Sequence, residues 1–133
     1  PWQGGFATIL GNMKKIIVID DESDVAEIIK ANLNAEKYEC IIAKDGDEGL
    51  KKIESVKPDL VILDLLMPKT SGYEVCSELK TNPKTAKIPV ILLTKKKEHR
   101  DKYIGTIFLK ADEYIAKTFD VTDLLKKIEK LIG

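Results

Sequence analysis

Three short apolar runs in this chain each stop at a polar residue. Ile16-Ile17-Val18-Ile19 ends in Asp20-Asp21, Leu60-Val61-Ile62-Leu63 ends in Asp64, and Val90-Ile91-Leu92-Leu93 ends in Thr94. Short unbroken runs rich in β-branched residues predict strands buried on both faces. Such strands are expected over 15–20, 60–63 and 89–94, and residues 38–43 and 113–116 supply a second and a fifth. A carboxylate directly after four core-type residues is costly unless the chain emerges there into a polar site.

Between these runs the period becomes helical. Ser23 is placed to cap a helix to about residue 36, with Val25, Ile28, Ile29 and Leu33 inward. Asp45-Gly46 reads as a turn before a helix that turns Leu50, Ile53 and Val56 to the core, and Lys57-Pro58-Asp59 stops it. After the loop 67–72, Ser71 and Glu74 form a capping box for a helix bearing Val75, Cys76 and Leu79, which Asn82-Pro83 breaks. A fourth helix is expected over 98–109, with Ile104, Ile107 and Phe108 inward and Gly105 weakening its middle. Asp120, with Asp123, caps a last helix carrying Val121, Leu124, Leu125, Ile128 and Leu131.

Five alternations of strand and helix predict an α/β domain: a doubly wound parallel sheet with right-handed crossovers and helices on both faces. Periodicity does not give the strand order. In open sheets of this kind the ligand crevice lies outside the carboxyl ends of the strands, where the three polar stops fall.

The 133 residues argue for one domain, expected over 13–133. Residues 1–12 mix Gly, Gln, Trp and Thr without a period and read as an expression remnant or an N-terminal arm. Basic and acidic residues balance at 22 each, so nucleic acid is not expected as a direct partner. No apolar run nears the roughly 18 residues that span a bilayer, and a cytoplasmic location without membrane contact is expected. Cys40 and Cys76 lie inside apolar patterns and read as buried free thiols.

If the first and third strands are neighbours, Asp20, Asp21 and Asp64 share one pocket. Their like charges repel strongly in a partly desolvated site, and a hard divalent cation relieves that repulsion. Mg2+ suits oxygen ligands and prefers one or two carboxylates plus a phosphate. Plainer readings stay open, with Asp21 as a solvated turn residue or an N-cap. An aspartate can also act as a nucleophile and form an acyl phosphate, given a cation and donors for the phosphoryl oxygens. Thr94 offers a hydroxyl, and Lys117 a mobile ammonium. Alone, the first would serve equally as a strand-end or cap residue, and the second as a surface charge.

The constellation carries a resemblance. Val18-Ile19-Asp20-Asp21-Glu22, Ala43-Lys44-Asp45-Gly46, Pro58-Asp59 through Asp64, Met67-Pro68 with Ser71-Gly72, Ile88-Pro89 through Thr94, and Ala111-Asp112-Glu113-Tyr114-Ile115 before Lys117 occur in that order. Over about 13–132 the chain resembles a response-regulator receiver domain of two-component signalling. The resemblance implies the five-stranded flavodoxin-like (βα)5 fold with strand order 2-1-3-4-5. It implies Asp64 as phosphoacceptor, with Thr94 and Lys117 binding the phosphoryl group. Mg2+ (or Mn2+) would be held by Asp21, Asp64 and the backbone carbonyl of Leu66, with Asp20 acting mainly through water. Tyr114 matches an aromatic that reorients as Thr94 moves inward. The implied partners are a sensor histidine kinase or histidine phosphotransfer protein, and a downstream protein or linked output domain. Dimerisation through the fourth helix, fifth strand and fifth helix is also implied.

Alternatives from other classes are weaker. A receiver-like interaction module that works without phosphorylation draws only on the departures below. An aspartate-nucleophile phosphatase or phosphotransferase commonly needs a second acid where Leu66 stands. A nucleotide binder would need a phosphate loop in place of Asp21-Glu22-Ser23-Asp24.

The chain departs from the family pattern at Lys117-Thr118-Phe119, where Lys-Pro-Phe with a cis bond is usual. Cis before a non-proline residue costs roughly 2.5–4 kcal/mol, so a trans bond is expected, with Lys117 aimed differently. Lys95, where a small residue is usual, is expected either in a solvated basic loop or partly covering the pocket as a second cation. Lys110 stands where a helix-ending glycine is common. Leu66 offers no side-chain hydrogen bond to a hydrolytic water. His99 reads as a surface residue.

Overall fold

The apolar segments become β1 (Lys14–Ile19), β2 (Tyr38–Ala43), β3 (Leu60–Asp64), β4 (Val90–Thr94) and β5 (Glu113–Ala116). The helices between and after them are α1 (Ser23–Ala35), α2 (Gly46–Val56), α3 (Gly72–Thr81) and α4 (Val121–Ile132). The structure is a computed structural model that describes residues 13–95 and 110–133. The expectations for 1–12, for the helix over 98–109 and for His99 lie outside the described residues.

All strand pairings are parallel, in the order β2-β1-β3-β4-β5. This is the doubly wound five-stranded fold. Every residue of β3 and β4 is buried, and full burial of one such aliphatic side chain is worth about 1.5–3 kcal/mol. Strand alternation splits the core in two. Ile17, Ile19, Leu63 and Leu92 pack with Ile53, Val75 and Leu79 of α2 and α3. Ile16, Val18, Ile62 and Leu93 pack with Ala26, Ile29 and Leu33 of α1 and with Leu124 and Ile128 of α4. Among the described residues, no helix is long and apolar enough to cross a membrane.

Local chemistry sets most boundaries. Asp45 accepts from the Glu48 N–H at 2.8 Å, Ser71 Oγ from the Tyr73 N–H at 3.1 Å, and Asp120 from the Thr122 N–H at 2.9 Å. Each satisfies an orphan donor of a first helical turn. Asp45-Gly46 is therefore a cap and the first helical residue rather than a free turn. Lys57 ends α2 with φ 55°, and Lys110 has φ 57°. A lysine thus adopts the left-handed conformation that glycine would take most readily.

Two expectations for α1 are corrected. Ser23 is its first helical residue, and Glu22 is the N-cap, without a side-chain capping bond. The cause is Asp20, whose Oδ1 accepts the Glu22 N–H at 2.9 Å and sets the entry one residue earlier. Ile28 is exposed, and Ala26 is buried with Ile29 and Leu33. The inner face runs 26, 29, 33, a stripe that leaves position 28 turned away.

The loop after β3 is tied back to the strand it leaves. The Gly72 N–H donates to the Leu65 carbonyl at 3.0 Å, and a Cβ on Gly72 would land on the Asp64 carbonyl oxygen and the Leu65 Cα. Only glycine allows that approach. Loop 65–72 is thereby held beside Asp64.

Candidate functional site

The register of the central strands brings the polar stops to one edge. Ile19 pairs with Leu63, so Asp20 and Asp64 leave neighbouring strands side by side. Asp64 pairs with Leu93, which puts Thr94 beyond it on β4. Thr94 pairs with Ala116, so Lys117 is the next residue out, and its N–H donates to the Thr94 carbonyl. Asp20, Asp64 and Thr94 are buried polar residues, each at most 2% exposed.

One ammonium faces three carboxylates. Lys117 Nζ donates to Asp20 Oδ1 at 3.0 Å, Asp64 Oδ2 at 3.0 Å and Glu22 Oε1 at 2.7 Å. Asp64 Oδ1 accepts the Leu66 N–H at 3.2 Å. Asp20, Asp21 and Asp64 each offer a carboxylate oxygen within 4.8 Å of the others. Asp20 Oδ2 is buried and, among the described residues, has no hydrogen-bond partner. A buried carboxylate oxygen without a donor is unfavourable, and a hard cation bound by oxygen ligands would satisfy it. The donor set therefore fits a divalent ion of the Mg2+ type.

The electrostatics agree with a site short of positive charge. Burial pushes the Asp64 carboxyl up to about 7, and the neighbouring Asp20 adds to the rise. Lys117 and the Leu66 N–H oppose it and do not cancel it. Burial works against the Lys117 charge, but its bonds to Glu22, Asp20 and Asp64 outweigh that and raise its pKa. The hydrogen bond from Lys117 lowers Glu22.

The structure brings together Asp20, Asp21, Asp64, Thr94 and Lys117, and Leu66 is adjacent and 60% exposed. The Lys117–Thr118 bond is trans, since no cis peptide occurs among the described residues. The trans bond was expected to aim Lys117 elsewhere, yet its ammonium reaches both buried aspartates. Lys95 stands at the rim, 3.4 Å from Glu22 Oε1. Tyr114 pairs with Leu92 and so shares a sheet face with Thr94, two residues further along the register. Glu22, a partner of both lysines, was not among the expected site residues. Its signal along the chain is an acid directly after the aspartate pair. Cys40 and Cys76 are buried free thiols, pushed by burial to about 12 and about 11, and lie outside the site.

The response regulator receiver domain model matches residues 16–129. The chain belongs to this family. It is 39% identical over 119 residues to the alkaline phosphatase synthesis transcriptional regulatory protein PhoP of Bacillus subtilis, covering 90% of this chain and 48% of that protein. To the response regulator ArlR of Staphylococcus saprophyticus it is 38% identical over 120 residues, covering 90% and 53%. The receiver chain thus spans about half the length of these curated relatives. Among solved structures, the chemotaxis protein CheY4 of Vibrio cholerae superposes with a TM-score of 0.84 at 26% identity, covering 90% of this chain and 98% of that one. The response regulator TrrA of Thermotoga maritima, solved in complex with Mg2+ and a beryllofluoride, gives 0.77 at 40% identity, covering 90% and 99%.

Proposed function

We propose that this receiver domain, spanning 13–133, accepts a phosphoryl group on Asp64 from a histidine kinase or histidine phosphotransfer protein. The supporting observation is the charge deficit around Asp64. Two buried aspartates and Glu22 share the Lys117 ammonium, the exposed Asp21 adds a further carboxylate beside them, and one buried oxygen of Asp20 is left unsatisfied. In the transfer, an Asp64 oxygen bonds to phosphorus as the phosphorus–nitrogen bond of the donor breaks, and the leaving imidazole keeps the electron pair. Asp20, Asp21, Asp64 and the Leu66 carbonyl would hold Mg2+ (or Mn2+), which when bound supplies the positive charge that such a transfer needs. Lys117 orients Asp64 before transfer and pairs with the added anion afterwards. Thr94, at the end of β4, takes a phosphoryl oxygen as its hydroxyl turns inward.

The output is a population shift. Phosphorylation adds charge and acceptor oxygens that draw Thr94 and Lys117 inward. Tyr114 follows on the shared face. The surface that includes β5 and α4 then favours a downstream protein, a linked output domain or a second copy. The domain acts as a switch in the cytoplasm rather than as an enzyme on other substrates. Incubation with Mg2+ and phosphoramidate, a small phosphorus–nitrogen donor, is expected to add one phosphoryl group by mass spectrometry, and none to Asp64→Asn. A wild-type protein that gains no phosphoryl group would overturn the reading.

A further inference from the structure

Glu22 is used in an unusual way for its position. It is the N-cap residue of α1, but its side chain makes no capping bond. It points to the pocket, where Oε1 lies 2.7 Å from Lys117 Nζ and 3.4 Å from Lys95 Nζ. The Lys117 contact is shorter than the 3.0 Å to Asp20 or Asp64. One carboxylate oxygen thus bridges the cations that follow β4 and β5, beside the phosphoacceptor. A phosphoryl group on Asp64 requires cationic donors of this kind.

We propose that Glu22 is an internal anion that competes with the phosphoryl group for Lys117 and Lys95, and so sets the affinity of the site for phosphoryl-like anions. This rests on the phosphoacceptor reading above. Burial determines which carboxylate yields. The side chains of Asp20 and Asp64 are 0% and 1% exposed, whereas Glu22 is 41% exposed and swings into water at little desolvation cost. Once Glu22 has left, Lys95 is free to act as a second cation at the rim. Glu22 is therefore a positioning residue: it holds both lysines poised beside the phosphoacceptor.

The test is calorimetric titration of beryllofluoride into the domain at saturating Mg2+, with Mg2+ affinity titrated separately for each variant. Glu22→Gln is expected to bind beryllofluoride about fivefold tighter, reflecting removal of one half-exposed competing ion pair. Lys95→Ala is expected to bind it about threefold weaker on the same grounds. A purely structural Glu22 would give no gain. Unchanged or weaker binding by Glu22→Gln overturns the competition, and unchanged or tighter binding by Lys95→Ala overturns the part given to Lys95. A wild-type domain that binds no beryllofluoride at saturating Mg2+ overturns the phosphoacceptor reading itself, which separates the two failures.

Discussion

Two lysines anchor opposite ends of the same sheet, and they are treated very differently. Lys80 reaches from α3 to the amino ends of β4 and β5, with its side chain 10% exposed. Its Nζ donates to the Ala86 carbonyl at 3.3 Å, the Ile88 carbonyl at 2.8 Å and Asp112 Oδ2 at 2.9 Å. Asp112 Oδ2 also accepts the Val90 N–H at 2.8 Å. One positive charge meets one negative charge, and neutral carbonyls take the remaining donors. Lys117, 7% exposed at the carboxyl ends, instead meets three carboxylates beside an unsatisfied oxygen. The first network is complete without any other species. The second holds more negative than positive charge and leaves one carboxylate oxygen without a donor among the described residues. A balanced lysine marks architecture here, and an overdrawn one marks the candidate site.

The contrast predicts opposite signs of effect. Lys80→Ala is expected to cost about 2–3 kcal/mol, because it strands two carbonyls and leaves Asp112 without its partner charge. The loss should show as a lower urea midpoint with Mg2+ making no difference. A variant as stable as the wild type would break the comparison at its structural end.

A smaller and opposite effect is expected at Asp64. Asp64→Asn removes a buried negative charge from a cluster that has too many, while Lys117 keeps Asp20 and Glu22. Without divalent cation at neutral pH the variant should gain about 1 kcal/mol, and wild type should close the gap as Mg2+ is added. Chemical unfolding with and without Mg2+ measures both, and an Asn variant less stable than wild type would remove the claim of excess charge.

The smallest effect concerns Glu113 on β5, which pairs with Lys127 at 3.1 Å and Lys130 at 3.2 Å on α4. Burial raises its pKa, but the two hydrogen bonds outweigh that and hold it below its ordinary value. A depressed carboxylate contributes stability above its unfolded pKa and loses it as pH falls through the folded one. These pairs are partly exposed, so the contribution is at most about 1 kcal/mol. Glu113→Gln should therefore lower stability slightly at pH 7 and not at all in strong acid. An equal loss in acid would mean that packing, not charge, joins β5 to α4.

What was legible beforehand was local. The second and fifth strands match their expected ranges, and the others lie within a residue or so, because an unbroken apolar run has few ways to be buried. Ser71 and Asp120 were legible as caps because each acts within three residues of itself. Asp64, Thr94 and Lys117 were candidates because a polar group at a strand end is visible along the chain. The strand order came with family resemblance, since periodicity says nothing about neighbours.

The partners of Lys117 could not be read this way, lying 95, 97 and 53 residues away in Glu22, Asp20 and Asp64. Only the pairing of β1 with β3 and of β4 with β5 makes them neighbours. Glu22 shows the physical reason most clearly. Along the chain it is one more acid before a helix. In space, the bond from its own N–H to Asp20 and the register of four strands turn it toward two lysines. Local pattern supplies the elements and their polar ends, whereas which charges share one ammonium depends on contacts that exist only after the sheet is assembled.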